Sequence, residues 1–379
     1  MDKKQSRIDN IRKVMHMEKP DYIPIEHIIT PEMAIEYAGY HIFDGLWETE
    51  KVIDAMRKAV PAFEGDFIRS TFYRSPRYYT SLEAKSFIQS KEGFVQHPEV
   101  HSMEDDEYDE LIADVPAFLA GKCLPRLYKV FDKPEPYRSM ALARGMMSLN
   151  RTFGPYNAAM GQLLEEEGLF VLTAASAEAP FDFLADLLRS FTGISKDVRR
   201  MPEKVIEACE ALLPLMIQKA VVAPPTVDAM VFMPLHMPPY ISDRVFDKMY
   251  WPTFAKMVDI LTQKGYYLYI FFEGDWTRYY DHLVTLPEKR ILGRFEYADP
   301  KAIKDKIGDK MALTGFYPVT LLAHGTESEC IDKTKELVDI LAPGGGYMFG
   351  FDKITTTIKD IQVNHLNAVN RYIRENGTY

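Results

Sequence analysis

Four polar side chains stand where apolar stretches of the chain end. Glu273 closes the run YYLYIFF, Glu296 follows GRF, and His236 follows MPL. His324 lies a few residues beyond the apolar segment GFYP. Two carboxylates with one or two imidazoles form a ligand set that suits Zn²⁺, and three protein ligands leave a fourth position for a substrate. Zinc there would act as a Lewis acid on a substrate oxygen, and the apolar run before Glu273 would keep the site dry.

These side chains can meet only if the segments before them are neighbouring strands. Strand-like stretches alternate with helix-like ones through the second half of the chain, which is typical of a parallel α/β fold. The regularity favours a closed (β/α)8 TIM barrel, where active-site residues lie at the carboxyl ends of the strands. The strands are predicted at 227–236, 266–274, 290–300, 311–318 and 347–352.

The first half of the chain is less regular. It contains a predicted strand at 22–29, an acidic helical insertion at 97–119 and a long helix at 138–168. We expect three of the eight barrel strands within 20–180, together with helical additions at the N-terminus. No linker interrupts the pattern, so the prediction is a single domain over residues 1–379. The glycine-rich PGGGYM precedes a strand instead of following one, which argues against a Rossmann fold.

Each candidate also has a structural interpretation. The carboxylates could pair with Arg278 or Arg294, His236 could cap a loop, and His324 could cap the helix that begins near Thr326. Within a metal site, Asp275 or Tyr317 would orient a ligand, although Tyr317 lies between apolar residues that suggest a core position. The ring-rich stretch STFYRSPRYY is either a packed loop or a wall of a substrate cavity.

Composition excludes several classes of protein. The 379 residues are 47% hydrophobic and carry a net charge of −10, so a large core is expected and a nucleic-acid binder is not. The three cysteines lie far apart without CxxC spacing, which argues against a disulfide framework or a thiolate zinc site. The charged start and the absence of an eighteen-residue apolar run predict a cytoplasmic protein without membrane spans.

The sequence resembles the uroporphyrinogen decarboxylase superfamily. The motifs that carry the resemblance cover nearly the whole chain and are RIDNIRKVMHMEKPDYIPI, FMPLH followed by YWP, FFEGDW, FEYADP, GFYPVTLLAHGTESE and APGGGYMFG. The resemblance implies a (β/α)8 barrel and a homodimer. Decarboxylases of this superfamily carry arginines after the first strand, but IPIEHIITPEMAIEYAGY has none, which argues against porphyrinogen decarboxylation.

The other branch of the superfamily consists of zinc-dependent, corrinoid-linked methyltransferases. Those that act on coenzyme M carry His-x-Cys where this chain has Phe271 and Glu273, and a later Cys that MFGFD lacks. A thiol acceptor is therefore not expected. What remains resembles the methyltransferase I component of anaerobic O-demethylases. In that group an oxygen-rich zinc site fits Glu273, Glu296 and His324, with His236 as the alternative histidine ligand.

The resemblance implies a reaction on a methyl ether, such as a vanillate-type methoxylated aromatic, with zinc on the ether oxygen. The methyl group would pass to Co(I) of a separate corrinoid protein. His236 is a candidate for catalysis and substrate binding, and four aromatic residues are candidates to flank the substrate ring: Tyr73, Tyr78, Trp276 and Tyr317. Three alternatives remain open: a non-aromatic methyl donor such as methanol or a methylamine, a metal-dependent hydrolase or lyase, and a corrinoid- or tetrapyrrole-binding protein without catalysis.

Overall fold

The computed structural model describes residues 2–379 and is built around a parallel sheet of six strands in chain order. These strands are Thr173–Ser176 (β3), Met230–Leu235 (β4), Leu268–Asp275 (β5), Ile291–Tyr297 (β6), Ala312–Tyr317 (β7) and Gly350–Phe351 (β8). A separate antiparallel hairpin pairs Ile88–Gln89 (β1) with Val95–Gln96 (β2). The strands predicted in the second half are confirmed as β4 to β8; each is shorter than predicted, and β5 extends one residue past its predicted end, to Asp275.

Isolated parallel bridges extend the pairing beyond the two edges of this sheet. Ile25 pairs with Phe349, Glu26 with Phe67, and Ile68 with Val171. The predicted strand at 22–29 is therefore reduced to isolated bridges, two of them parallel, at Ile25 and Glu26, and one antiparallel, between Tyr22 and Thr378. One cause is that the Ile25 N–H donates to the Asp66 carboxylate over 2.8 Å, so this backbone donor is not used in a strand ladder. The described part of the chain thus has six regular parallel strands where the sequence predicts eight.

Helices surround the sheet. In the first half they are Lys3–Met15 (α1), Pro31–Tyr37 (α2), Ile42–Gly45 (α3), Thr49–Ala59 (α4), Pro76–Ser81 (α5), Tyr108–Ala113 (α6), Val115–Phe118 (α7), Leu124–Leu127 (α8), Tyr137–Glu167 (α9) and Pro180–Phe183 (α10). In the second half they are Ser190–Arg200 (α11), Pro202–Ala220 (α12), Asp243–Val245 (α13), Trp251–Gln263 (α14), Tyr280–Leu283 (α15), Pro300–Ile307 (α16), Val319–His324 (α17), Glu327–Leu341 (α18) and Val363–Asn376 (α19). None of the helices in residues 2–379 combines the length and apolar character needed to cross a bilayer.

Local sequence signals explain several of these boundaries. Helix α18 begins at a capping box in which Thr326 and Glu329 satisfy each other's backbone donors. The long helix predicted at 138–168 is confirmed as α9, which ends at Glu167 and is capped by Gly168 in the left-handed conformation. Short π-helical turns occur at Leu119–Cys123, Leu184–Arg189 and Phe246–Tyr250.

Helix α1 closes the amino-terminal end of the sheet. Its apolar side chains form one buried cluster with residues that lie at the starts of the strands. The cluster contains Ile8, Ile11, Val14 and Met15 from the helix and Met230, Tyr269, Leu292 and Ala312 from the strands. Burial of this apolar surface leaves the carboxyl ends of the strands as the accessible end of the sheet.

Asp66 ties the two ends of the chain to the bridge segments. Its carboxylate, which is 2% exposed, accepts hydrogen bonds from Arg7 Nε at 3.2 Å and from both terminal nitrogens of Arg374 at 3.0 Å. It also accepts the Ile25 N–H. One buried carboxylate therefore fixes α1, α19 and the first bridge segment relative to one another.

We predict that Asp66→Ala lowers the free energy of unfolding by about 3–5 kcal/mol, because it leaves two guanidinium groups without their partner in a buried site. Urea denaturation of the purified variant measures this. Asp9→Ala is the matched control, since Asp9 pairs with Arg12 on the exposed side of α1 and should change stability little. Equal losses in the two variants would contradict the structural role of Asp66.

Gly274 forms an irregular end to β5. Its φ is +70°, and the pairing of β5 with β6 shifts register between Phe272 and Asp275. A Cβ on Gly274 would lie 2.6 Å from the Pro239 Cγ atom, so the residue is required both for its backbone conformation and for this close approach.

We expect Gly274→Ala to lower the free energy of unfolding by at least about 1–3 kcal/mol, the typical cost of a strained backbone conformation. Gly161→Ala is the control: Gly161 lies within α9, a methyl group there would meet open space, and the substitution should stabilise the protein by about 0.5–1 kcal/mol. Thermal denaturation of both variants distinguishes a local requirement at residue 274 from a general effect of adding a methyl group. A Gly274→Ala variant as stable as the wild type would show that the turn tolerates a side chain.

Candidate metal and substrate site

His236, Glu273 and Glu296 lie at one level of the sheet because β4, β5 and β6 are in parallel register. Pro234 is paired with Phe271, and Phe271 with Arg294. Two residues further along come His236, directly after β4, and Glu273 and Glu296, near the ends of β5 and β6. All three side chains line the same cavity. The predicted convergence of these three strand ends is therefore present in the structure.

His236 lies between two carboxylates. Its Nδ1 is 2.6 Å from Asp186 Oδ2, and its Nε2 is 3.4 Å from Glu273 Oε2. Burial lowers the pKa of His236, but the hydrogen bond to Asp186 and the negative charges of Asp186, Asp182 and Glu273 outweigh burial and raise this pKa to about 9. Without a bound cation, the imidazole is therefore protonated at neutral pH, and Asp186 fixes its orientation.

The loop after His236 is held from the preceding helical segment. The buried Asp182 accepts the Met237 N–H over 2.9 Å and the Tyr250 hydroxyl over 2.6 Å. Burial and the neighbouring Asp186 raise the pKa of Asp182 to about 7. Asp186 itself lies on the π-helical turn Leu184–Arg189, a kind of distortion that occurs frequently at functional sites.

Glu296 is bound by two donors. Its Oε2 accepts the Gly274 N–H over 2.8 Å, and its Oε1 lies 3.0 Å from Lys353 Nζ. The hydrogen bond to Glu296 raises the pKa of Lys353. Burial raises the pKa of Glu273, with the charge of nearby Glu296 adding to the rise. Two cationic side chains, His236 and Lys353, thus offset the negative charge of the two glutamates.

The donor set fits a zinc ion in part. Two ligands of a tetrahedral zinc ion, at Zn–N and Zn–O distances of about 2.0–2.2 Å, lie about 3.4 Å apart. The separation of His236 Nε2 from Glu273 Oε2 has this value. Asp186 on the other ring nitrogen is the usual outer partner of a metal-bound histidine. Within residues 2–379, however, no three His, Cys, Asp or Glu side chains already form a cluster that could hold a metal ion. Glu296 would complete the set only after its Oε1 exchanges Lys353 for the cation.

The cavity at these strand ends has a volume of about 1070 Å³. This is at the upper end of the range of about 300–1,000 Å³ for small-molecule sites. Aromatic rings form much of its wall, contributed by Phe72, Phe87, His97, Phe232 and Phe271. Cationic groups reach it from Arg69, Arg74 and Lys353, and acidic groups from Glu178, Asp186, Glu273 and Glu296.

His324 and Asp275 do not join this group. His324 is exposed at the last position of α17, and it is not among the residues that line the cavity. The six residues of this helix follow β7 directly and carry the imidazole away from the strand ends, by about 9 Å at 1.5 Å per residue. Asp275 points into a local turn, where its carboxylate accepts the Thr277 N–H over 2.8 Å.

The aromatic residues predicted to flank a substrate also lie outside the cavity lining. Tyr317 is buried and donates to the Cys330 carbonyl over 3.3 Å, in agreement with the core interpretation. Trp276 is fully buried, and its Nε1–H donates to the Glu273 carbonyl over 3.0 Å, so it supports the backbone that carries Glu273. Tyr73 packs edge-on against Tyr156, and Tyr78 packs against Tyr79.

Sequence reasoning missed Asp186, Arg69, Lys353 and the rings of Phe232 and Phe271. A signal for the rings exists, because Phe232 and Phe271 precede His236 and Glu273 by four and two residues and so share their faces of the strands. Asp186 carries no such signal, since a helical acidic residue is ordinarily solvated. Arg69 and Lys353 follow segments that form only short pairings, so their position relative to the sheet was not predictable.

Comparison with known proteins identifies a fold but no family. No protein-family model matches the chain, and no curated protein sequence does. Among solved structures, the chain is similar to one described as a methyltransferase from Methanosarcina mazei, with a TM-score of 0.65 and 13% sequence identity. The match covers 97% of this chain and 98% of that one. At this identity the likeness shows a shared fold over almost the whole length of both chains.

Proposed function

We propose that this protein is a zinc-dependent methyltransferase that cleaves a methyl ether, with a methoxylated aromatic compound as the donor and the Co(I) of a separate corrinoid protein as the acceptor. The observation that carries the proposal is the pairing of His236 with Glu273, backed by Asp186, at the mouth of a cavity with aromatic walls. The fold shared with a methyltransferase supports it.

We also infer that the isolated bridges stand in for the first two strands of a TIM-barrel-like fold.

The residues that would hold zinc are His236, Glu273 and Glu296. His236 takes the place that the sequence resemblance gave to His324, because only His236 faces the two glutamates. When bound, zinc supplies a Lewis acid that polarises an ether oxygen and stabilises the negative charge that develops on it. An oxygen substrate agrees with the position of the three cysteines, since Cys123, Cys209 and Cys330 are all buried away from the cavity.

The chain's own side chains account for binding and orientation. Asp186 holds the His236 ring through Nδ1, which directs Nε2 toward Glu273. The rings of Phe232 and Phe271 offer apolar surface to an aromatic substrate and displace water from beside the reacting group. Methyl transfer also requires the corrinoid of the partner protein to reach the methyl group from the solvent side of this cavity.

The reaction balances as a methyl transfer between two nucleophiles. The methyl group leaves the ether oxygen, and both electrons of the broken C–O bond stay on that oxygen. The new bond to the methyl carbon uses the electron pair of Co(I). The oxygen then takes one proton from solvent or a neighbouring acid, which gives a phenol.

We expect purified wild-type protein to contain about one zinc ion per chain, and His236→Ala and Glu273→Ala to contain little, because each variant removes one of the donors at zinc spacing. Elemental analysis of the purified proteins measures this directly. Asp275→Ala and His324→Ala are matched controls: they remove an acid two residues away and the other candidate histidine, and both should retain zinc. Loss of zinc from His324→Ala but not from His236→Ala would contradict the assigned ligand set.

We expect the wild type to consume Co(I) corrinoid when a methoxyarene is added and to release an equal amount of phenol. Glu273→Gln should lower this rate more than about 100-fold, because loss of the Lewis acid removes several kcal/mol of stabilisation. The decay of Co(I) absorbance and chromatography of the phenol follow the two products.

The corrinoid requirement separates this proposal from its rivals. Phenol released at the same rate without any corrinoid would indicate a hydrolase. Corrinoid binding without zinc and without turnover would indicate a binding protein. Turnover of methanol or a methylamine but of no methoxyarene would refute the aromatic donor.

A further inference from the structure

Arg69 is a cavity-facing cation that has no acidic partner among residues 2–379. Its guanidinium lies over the Phe232 ring at 4.9 Å, and no carboxylate in this part of the chain comes within salt-bridge distance of it. Of the other cations that line this cavity, Lys353 lies 3.0 Å from Glu296, whereas Arg74 has no carboxylate within salt-bridge distance but is exposed. Arg69 therefore differs from them in being both half-buried and outside salt-bridge distance of any carboxylate in the described residues.

The surroundings of Arg69 make a free cation costly. The side chain is half-buried, and burial together with the charge of Arg294 lowers the pKa of Arg69, while the negative charges of Glu26 and Glu32, beyond salt-bridge distance, offset only part of that effect. Its backbone is held in place because its carbonyl accepts the Thr173 hydroxyl over 2.8 Å. A partly desolvated, fixed guanidinium is stabilised strongly by an anion that reaches it. Ser70, beside it on the cavity wall, accepts the Phe72 N–H over 3.2 Å and keeps its hydroxyl hydrogen available as a second donor.

An apolar surface connects Arg69 to the candidate metal site. The ring beneath its guanidinium belongs to Phe232, which lies four residues before His236 on the same face of β4. Four residues of a strand span about 13 Å. That distance accommodates an aromatic ring between an anion on Arg69 and a group beside His236. The wall also includes Phe271, two residues before Glu273.

We propose that Arg69, with Ser70, forms an anion subsite that binds the carboxylate of an aromatic acid whose ring lies along Phe232 and Phe271. The subsite deepens the proposed function, on which it rests for the reacting group, by assigning the substrate to the methoxylated aromatic carboxylates. A monoanion fits better than a phosphate dianion, because Glu178, Asp186, Glu273 and Glu296 line the same cavity and repel additional negative charge.

Equilibrium binding without any corrinoid tests this subsite independently of methyl transfer. Isothermal titration calorimetry compares a methoxybenzoate with the matching methoxybenzyl alcohol. We expect the wild type to bind the acid more tightly than the alcohol. Arg69→Met should weaken binding of the acid by about 10- to 100-fold, the range for losing charge-assisted hydrogen bonds, and leave binding of the alcohol unchanged.

Three controls make the result specific. Arg74→Met removes the exposed cation that lies over Phe87 in the same cavity, and should weaken acid binding much less. Arg69→Lys keeps the charge without the planar fork and should bind the acid with intermediate affinity. Chelator-treated wild type should keep its preference for the acid over the alcohol, because the carboxylate is not expected on the metal. Thermal denaturation confirms that each variant is folded.

Several outcomes would overturn the subsite. Equal affinity of the wild type for acid and alcohol would show that no anion is recognised. Equal losses in Arg69→Met and Arg74→Met would show general electrostatic attraction instead of a fixed site. Loss of acid binding on chelation, with Arg69→Met unaffected, would place the carboxylate on the metal. Failure of methyl transfer alone, with the binding pattern intact, would refute the proposed reaction and leave the subsite standing.

Discussion

Parallel register between β4, β5 and β6 is the constraint on which the site depends. Because Pro234, Phe271 and Arg294 are paired across the three strands, the residues two positions further on, His236, Glu273 and Glu296, reach the cavity at the same level. A shift of one residue in any strand would turn its polar side chain out of the cavity. The buried cluster beneath the strands supports this register, which changes only at the glycine turn that ends β5.

The site also requires that the negative charges gathered at the strand ends be balanced by positive ones. Gathering two glutamates and Asp186 around one imidazole is unfavourable unless positive charge compensates for them. In the structure His236 and Lys353 supply that charge, and a bound zinc ion would supply it in their place. Arg69 lies on the same cavity, and no carboxylate within residues 2–379 lies within salt-bridge distance of it. The cavity is thus divided into an end that attracts a cation and an end that attracts an anion.

The sequence predicts the second half of this fold well, because long buried strands and capped helices leave strong local signals at Glu273, Glu296 and Thr326. It also predicts which strand ends carry acids and imidazoles. It does not choose between His236 and His324, since that choice depends on a six-residue helix after β7 that turns the second histidine away. Asp186 and Arg69 lie on a π-helical turn and beside an isolated bridge, where neither periodicity nor pairing indicates a side chain's direction.

We propose that His236 and Glu273 share one zinc ion, with Asp186 behind the histidine. Crystals of the zinc-loaded protein, measured with X-rays on either side of the zinc absorption edge, locate the metal directly. We expect a single strong anomalous peak within bonding distance of His236 Nε2 and a Glu273 oxygen, with Lys353 released from Glu296. A peak at His324 instead, or none at the strand ends in fully loaded crystals, would contradict it.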